Sequence, residues 1–215
     1  MAIDGAAPAE LPGPFPTLPS ASQSPCPGRH FYVAVDRHHF KMETLVDLLG
    51  VVGRRPRIPI VLCCSSRDNL DSVCATLSNL SYVSLSYLYS DQADAERALI
   101  LDKFRKATAE WNSVSSQPLE PDGTEDHVQS HLMVVTDACL PIIGSGEASV
   151  QARVLINFEI PAKKETYMRR MSTCLAADGI VISMVVGGEV VVLKALEQGS
   201  GLLIKEMPIY ISEIL

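Results

Sequence analysis

The chain has 215 residues, of which 47% are hydrophobic and 20% charged, and its formal net charge is −7. This length suits one domain with a substantial core and is short for two. No apolar run reaches the ~18 residues that span a bilayer, and the acidic balance argues against a strongly basic nucleic-acid binder.

Residues 1–28 hold Asp4 and Glu10, no Lys or Arg, and seven of the fourteen prolines. Proline fixes φ and removes a backbone donor, so this stretch reads as a disordered leader. It lacks the basic start and apolar run of a signal peptide. Phe31–Val35 is an apolar run, so a strand. Phe40, Leu45, Val46, Leu48 and Leu49 fall at helical spacing over 39–51. Ile58–Cys64 is continuously apolar, as in a strand buried on both faces. A helix over 67–79, a strand over 82–88 and a helix over 92–107 follow. Residues 108–130 carry Glu110, Glu120, Asp122, Glu125 and Asp126 with no Lys or Arg, and include the only tryptophan, Trp111. This reads as an acidic insertion, a floppy loop first and a new contact surface as the alternative. Leu132–Thr136 and Val154–Phe158 are strands, 163–173 a helix, Gly179–Val186 a strand, Val190–Gln198 a helix, and a last strand lies near 202–206.

Strand–helix alternation with buried strands predicts an α/β fold: a parallel sheet with helices on both faces, over 29–215. Ligands of such sheets bind at the carboxyl ends of the strands. The loops to inspect are then 64–67, 89–92, 136–146 and 170–178.

Chemistry is sparse. There is no G-x-x-x-x-G-K-[ST] phosphate loop and no acidic D-E-A-D cluster for Mg²⁺. Gly144-Ser-Gly146, Gly187-Gly188 and Gly199-Ser-Gly201 read as turns. The five histidines form no H-E-x-x-H, and the six cysteines form no C-x-x-C. Cys63 and Cys64 end an apolar strand and read as packed thiols. Neither a metal nor a cofactor is expected. The cysteine usage suits a reducing compartment, cytoplasm or nucleus.

Several segments, in order, resemble one family. Phe31-Tyr-Val-Ala-Val-Asp-Arg37 with Thr44-Leu-Val-Asp-Leu48, and Val61-Leu-Cys-Cys-Ser-Ser-Arg67, resemble the C-terminal RecA-like domain of DEAD-box RNA helicases, the initiation factor 4A branch above all. Asp91, Asp94 and Arg97, followed by Phe104-Arg105, stand where the family has H-G-D-x-x-Q-x-x-R. Val134-Val-Thr-Asp137, Ile156-Asn-Phe-Glu-Ile-Pro161, Tyr167-Met-Arg-Arg170 and Ile204-Lys-Glu-Met-Pro208 also match. The resemblance covers roughly 30–215 and implies the RecA-like fold.

It also implies candidate positions. In the family the Arg of Q-x-x-R and the Thr of T-D approach RNA, which points to Arg97 and Thr136, with Arg67 a weaker third. Arg97 also reads as a helix-surface residue, and Thr136 as a strand-end turn cap. The family's H-R-x-G-R-x-x-R segment reaches nucleotide phosphates. Here Arg170 matches its first arginine, while Thr173 and Ala176 replace the later two. Gly146 and Glu147 are vestigial counterparts of the Gly and Asp in A-R-G-[IL]-D, whose Arg is absent. No segment resembles the first RecA-like domain, where the family holds ATP. The expectation is a domain that does not hydrolyse ATP by itself. It would bind a helical-repeat scaffold or another protein, or weakly bind single-stranded RNA. The alternative is a helicase subunit whose ATPase domain is supplied in trans.

Overall fold

A computed structural model describes residues 29–53, 55–115 and 129–215. The leader expected over 1–28 and most of the acidic insertion lie outside the described residues. The strands are β1 (Arg29–Val35), β2 (Pro59–Cys64), β3 (Val83–Leu88), β4 (Ser130–Thr136), β5 (Ala152–Asn157), β6 (Leu175–Val186) and β7 (Ile204–Glu206). The helices are α1 (Lys41–Val52), α2 (Arg67–Leu77), α3 (Asp94–Ser115), α4 (Lys164–Cys174) and α5 (Val190–Ser200). The seven strands form one parallel sheet in the order β3-β4-β2-β5-β6-β1-β7.

Alternation along the strands sorts two cores. Ile60, Leu62, Val134 and Ile156 face α1 and α2 (Leu45, Leu49, Leu70, Val73). Val61, Cys63, Val135 and Leu155 face α3, α4 and α5 (Phe104, Met171, Leu193). All six residues of β2 are buried, so its unbroken apolar run reflects cover on both faces. Both faces carry helices, as the alternation of elements predicts.

Two boundaries differ from the sequence reading. Helix α3 does not stop at 107 but continues to Ser115. Leu101, Phe104 and Thr108 keep one face of the helix against the sheet. The Thr108 hydroxyl donates to the Phe104 and Val150 carbonyls, at 3.1 and 3.4 Å. Strand β6 begins at Leu175, not 179. Ala152 pairs with Leu175, and the register shifts before Val154 meets Ile180. At this irregularity a Cβ on Gly179 would lie 2.6 Å from Leu175 Cδ1, so the chain there needs glycine.

The second difference relocates an expected loop. Residues 170–178 are not at the carboxyl ends of the strands. Helix α4 has carried the chain back to the amino edge by Cys174, where β6 starts.

Candidate functional site

The carboxyl ends of β3, β4, β2 and β5 are adjacent in the sheet. The segments that follow them bring the sequence-predicted residues Arg67, Arg97, Thr136, Gly146, Glu147 and Arg170 to one edge. Helical side chains tilt toward the N-terminus of their helix. Arg170 therefore reaches that edge although its own backbone lies in the second half of α4.

Arg170 is central and its side chain is 0% exposed. Nε and Nη2 donate to the two Asp137 oxygens at 2.6 and 2.7 Å. Nη1 donates to Asn157 Oδ1 and the Glu159 carbonyl at 2.8 and 3.0 Å, and Nη2 also to Ser65 Oγ at 3.4 Å. A guanidinium has five N–H donors, and all five are engaged within the domain. Burial opposes its charge, yet the Asp137 carboxylate more than offsets this and raises the Arg170 pKa. At this position, the vestigial nucleotide-site arginine of the sequence reading, every donor is engaged within the domain.

Arg97, in the first turn of α3, and Glu147 also find each other. Nε and Nη2 meet the two Glu147 oxygens at 2.9 and 3.0 Å, and Nη1 donates to the Cys139 carbonyl at 3.0 Å. Glu147 further accepts from the Ile142 N–H at 2.8 Å. The pair raises the Arg97 pKa and lowers that of Glu147, through their mutual hydrogen bonds. Glu147 thus closes the loop between β4 and β5 rather than presenting a free acid. Gly146 ends the short turn Ile143–Ser145 with φ at 94°, a left-handed value that favours glycine. Its role in this structure is that turn.

Thr136 ends β4, and its hydroxyl donates to Cys139 Sγ at 3.3 Å; it makes no side-chain cap bond to the turn that follows, so the turn-cap expectation is not met. Arg67 is the most open of the three RNA candidates, with its side chain 56% exposed, and it too has a carboxylate, Asp91, at 3.2 Å. Its guanidinium lies 4.8 Å from the centre of the Tyr89 ring. The Tyr89 hydroxyl donates to Asp71, and that bond pushes the phenol up to about 12.

Asp137, Asn157 and Glu159 emerge as structural partners that the sequence reading left without a role. Asn157 had a signal: an amide inside an apolar strand must be bonded when buried. It links Arg170 to Ser183 through a 3.0 Å bond from its Nδ2. Glu159 accepts from Ser65 N–H and from Asn69 Nδ2 at the start of α2. Its carboxylate thereby ties the end of β5 to the entry of α2, whose N-cap is Ser66. The thiols of Cys63 and Cys64 are buried, and burial raises both pKa values. This is the packed state read from the sequence.

The same corner exposes apolar surface. Ile142 and Ile143, in the β4–β5 loop, are 53% and 51% exposed. Each candidate arginine faces a carboxylate of the same chain, and the loop beside them offers isoleucine to solvent.

No protein-family model matches the chain. It is 24% identical over 189 residues to "Eukaryotic initiation factor 4A" of Cryptosporidium parvum, covering 87% of this chain and 40% of that protein. An "ATP-dependent RNA helicase eIF4A" of Schizosaccharomyces pombe is likewise 24% identical over 189 residues, 41% of its length. The chain thus spans about 40% of the length of the curated relatives it matches, within their C-terminal half. Among solved structures, Escherichia coli DEAD-box protein SrmB bound to RraA superimposes with TM-score 0.60 at 18% identity, over 87% of this chain and 93% of that one. The Saccharomyces cerevisiae Dbp5 C-terminal domain bound to Gle1 and IP6 gives 0.58 at 17%, over 84% and 90%. The homologues are DEAD-box RNA helicases of the initiation factor 4A type, and the seven-stranded parallel sheet is that of RecA-like DEAD-box C-terminal domains.

Proposed function

We propose that this relative of the C-terminal half of initiation factor 4A helicases is a non-catalytic module that binds a protein partner in RNA metabolism or translation. The observation that carries the reading is the pairing of its arginines. Arg67, Arg97 and Arg170 each hold a carboxylate of the same chain. Binding a phosphate there would mean displacing a bonded anion, and for Arg170 one that is largely buried. At the positions of the two later family arginines stand Thr173, whose hydroxyl donates to the Arg169 carbonyl at 2.8 Å, and Ala176. Neither side chain can stabilise the charge of a transferring phosphoryl group as a guanidinium does.

A protein contact is favoured over RNA by the exposed Ile142 and Ile143 at the same edge. Two solved relatives that consist mainly of the matched domain were captured with bound proteins, RraA and Gle1. The partner chemistry this surface suits is an apolar, partly basic face, such as one side of a helical-repeat scaffold.

The test is affinity purification from the native cell with RNase treatment, using the wild type and the double variant Ile142→Asp, Ile143→Asp. A protein partner that survives RNase and is lost from the variant is expected. If every partner is removed by RNase, the RNA-binding alternative replaces this reading.

A further inference from the structure

Strand β7 ends the sheet and covers only part of its neighbour. It pairs with β1 through His30, Phe31 and Tyr32, opposite Ile204, Lys205 and Glu206. The Met207 N–H donates to the Tyr32 carbonyl at 2.9 Å. Next comes Pro208, which has no N–H to extend the ladder. Alternate residues of a strand turn their backbone groups to the same side, so Ala34 directs its N–H and carbonyl outward as Tyr32 does. No described strand meets them there.

Beside this bare edge lies an apolar cavity of about 630 Å³. It is lined by Tyr32 and Ala34, by Val190, Leu193 and Lys194 of α5, and by Ile204 of β7. Ala34 and Val190 are exposed in it. An open strand edge beside an apolar groove suits strand addition, in which backbone bonds hold a segment and alternate side chains enter the groove.

The chain carries a segment of matching pattern. Leu11-Pro-Gly-Pro-Phe-Pro-Thr17 alternates proline with residues that keep their N–H. A strand tolerates proline at an edge, with the missing donor turned to solvent. With Pro12, Pro14 and Pro16 turned outward, Leu11, Gly13, Phe15 and Thr17 offer their N–H groups to the neighbour. In an antiparallel pair, residues that exchange both bonds stand opposite each other with side chains on one face. A residue so paired with Ala34 projects into the groove beside α5. A parallel strand would send the same side chains to the other face. Met207 does this, bonding to Tyr32 while packing with the core under α1 and α2. Connectivity agrees, because the segment must return to Arg29, where β1 begins. Ala34 is about 17 Å along β1 from Arg29, and residues 18–28 can span ~36 Å.

We propose that residues 11–17 dock antiparallel on the outer edge of β1 and place Phe15 in the groove beside α5. The surface involves none of the residues at the Ile142–Ile143 corner, and the proposal is independent of the function proposed there.

Backbone hydrogen exchange in the full chain, followed by NMR, tests this. The Ala34 amide should be protected. Leu11→Asp with Phe15→Asp should speed its exchange about tenfold, the loss of one backbone bond. Val35, whose N–H faces β6, should be unchanged. Gly13→Pro puts a proline on the inward parity and should release Ala34 equally. Pro14→Ala restores a donor on the outward parity and should leave Ala34 protected. All these substitutions lie outside the sheet, so the fold is not at stake. Free exchange of Ala34 in the wild type overturns the proposal. So does protection that survives the double variant, and protection that then rises with protein concentration assigns the edge to a second copy of this chain. Equal effects of Gly13→Pro and Pro14→Ala overturn the pairing.

Discussion

At the residue scale, the arginines decide what this edge of the sheet can do. Arg170 joins the ends of β4 and β5 through Asp137, Asn157 and the Glu159 carbonyl. Arg170→Met leaves the buried Asn157 amide oxygen without its donor and Asp137, 30% exposed, to water, and should cost roughly 1–3 kcal/mol, the penalty of an unsatisfied buried polar group. Equilibrium urea denaturation measures it, and a loss under about 1 kcal/mol would mean that the network relaxes around the gap. Arg97 and Glu147 make a softer lock. Arg97 holds the Glu147 carboxyl below the ordinary range, so the pair's contribution is fully present above the unfolded pKa of ~4.3 and is lost as pH falls through the lowered folded value. A carboxyl carbon NMR titration should place Glu147 below other exposed glutamates, and Arg97→Met should return it to the ordinary range. Glu147→Gln weakens the hold on Arg97 at neutral pH. RNA affinity by fluorescence polarisation should then rise, and one added phosphate contact steepens the log–log salt dependence by ~0.7. If affinity and slope stay at wild-type values, Arg97 has no route to RNA even when released.

At the element scale, the strands were legible because both sheet faces are covered, which turns β2, β4 and β5 into apolar runs. Two boundaries were missed for different reasons. For α3, the acidic composition of 108–130 masks a helical stripe that Leu101, Phe104, Thr108 and Trp111 continue to Ser115. For β6, Leu175-Ala-Ala-Asp-Gly179 has the composition of a turn, and only pairing with β5 across the sheet makes a strand of it. The site residues were legible singly, but their pairings were not. Asp137 lies 33 residues from Arg170, and Glu147 lies 50 from Arg97, so no local pattern reports them. The same holds for Lys41, which opens α1 at 1% side-chain exposure and pairs at 3.0 Å with Glu189, 29% exposed, in the turn between β6 and α5. Glu189 also accepts from the Val186 N–H at 2.9 Å. Removing either partner should have unequal effects. Glu189→Ala leaves a buried ammonium unpaired and opens the turn, for roughly 3 kcal/mol. Lys41→Met keeps the packed stem, leaves Glu189 its water and its backbone bond, and should cost within about 1 kcal/mol. Equal costs in thermal or urea melts would show that the pair, rather than the buried charge, sets the energy.

At the scale of the whole molecule, ion pairs lie at both edges of the sheet, Arg97–Glu147 and Arg170–Asp137 at the carboxyl edge and Arg153–Asp178 at the amino edge. The carboxyl edge is the ligand-binding edge of such folds, and here its arginines are internally neutralised and isoleucines are exposed beside them. A fold does not carry its function with it, and the pairing of the carboxyl-edge arginines is what supports the proposed non-catalytic module. The alternative, an ATPase assembled in trans, makes a different demand. A separate domain bearing a phosphate loop would have to receive phosphate-directed cations from this chain. In phosphoryl transfer an arginine supplied to the γ-phosphate contributes ~10³-fold or more in rate. Thr173 and Ala176 supply none, and Arg170 has no donor left. Mixing this chain with the N-terminal half of an initiation factor 4A helicase, ATP, Mg²⁺ and RNA should therefore give turnover within about twofold of that half alone, far below the step one arginine supplies. Stimulation of a hundredfold or more would require Arg170 to leave Asp137 when the cleft closes. In that event Asp137→Asn, which loosens the hold on Arg170, would raise the rate further, whereas for a non-catalytic module it changes stability alone.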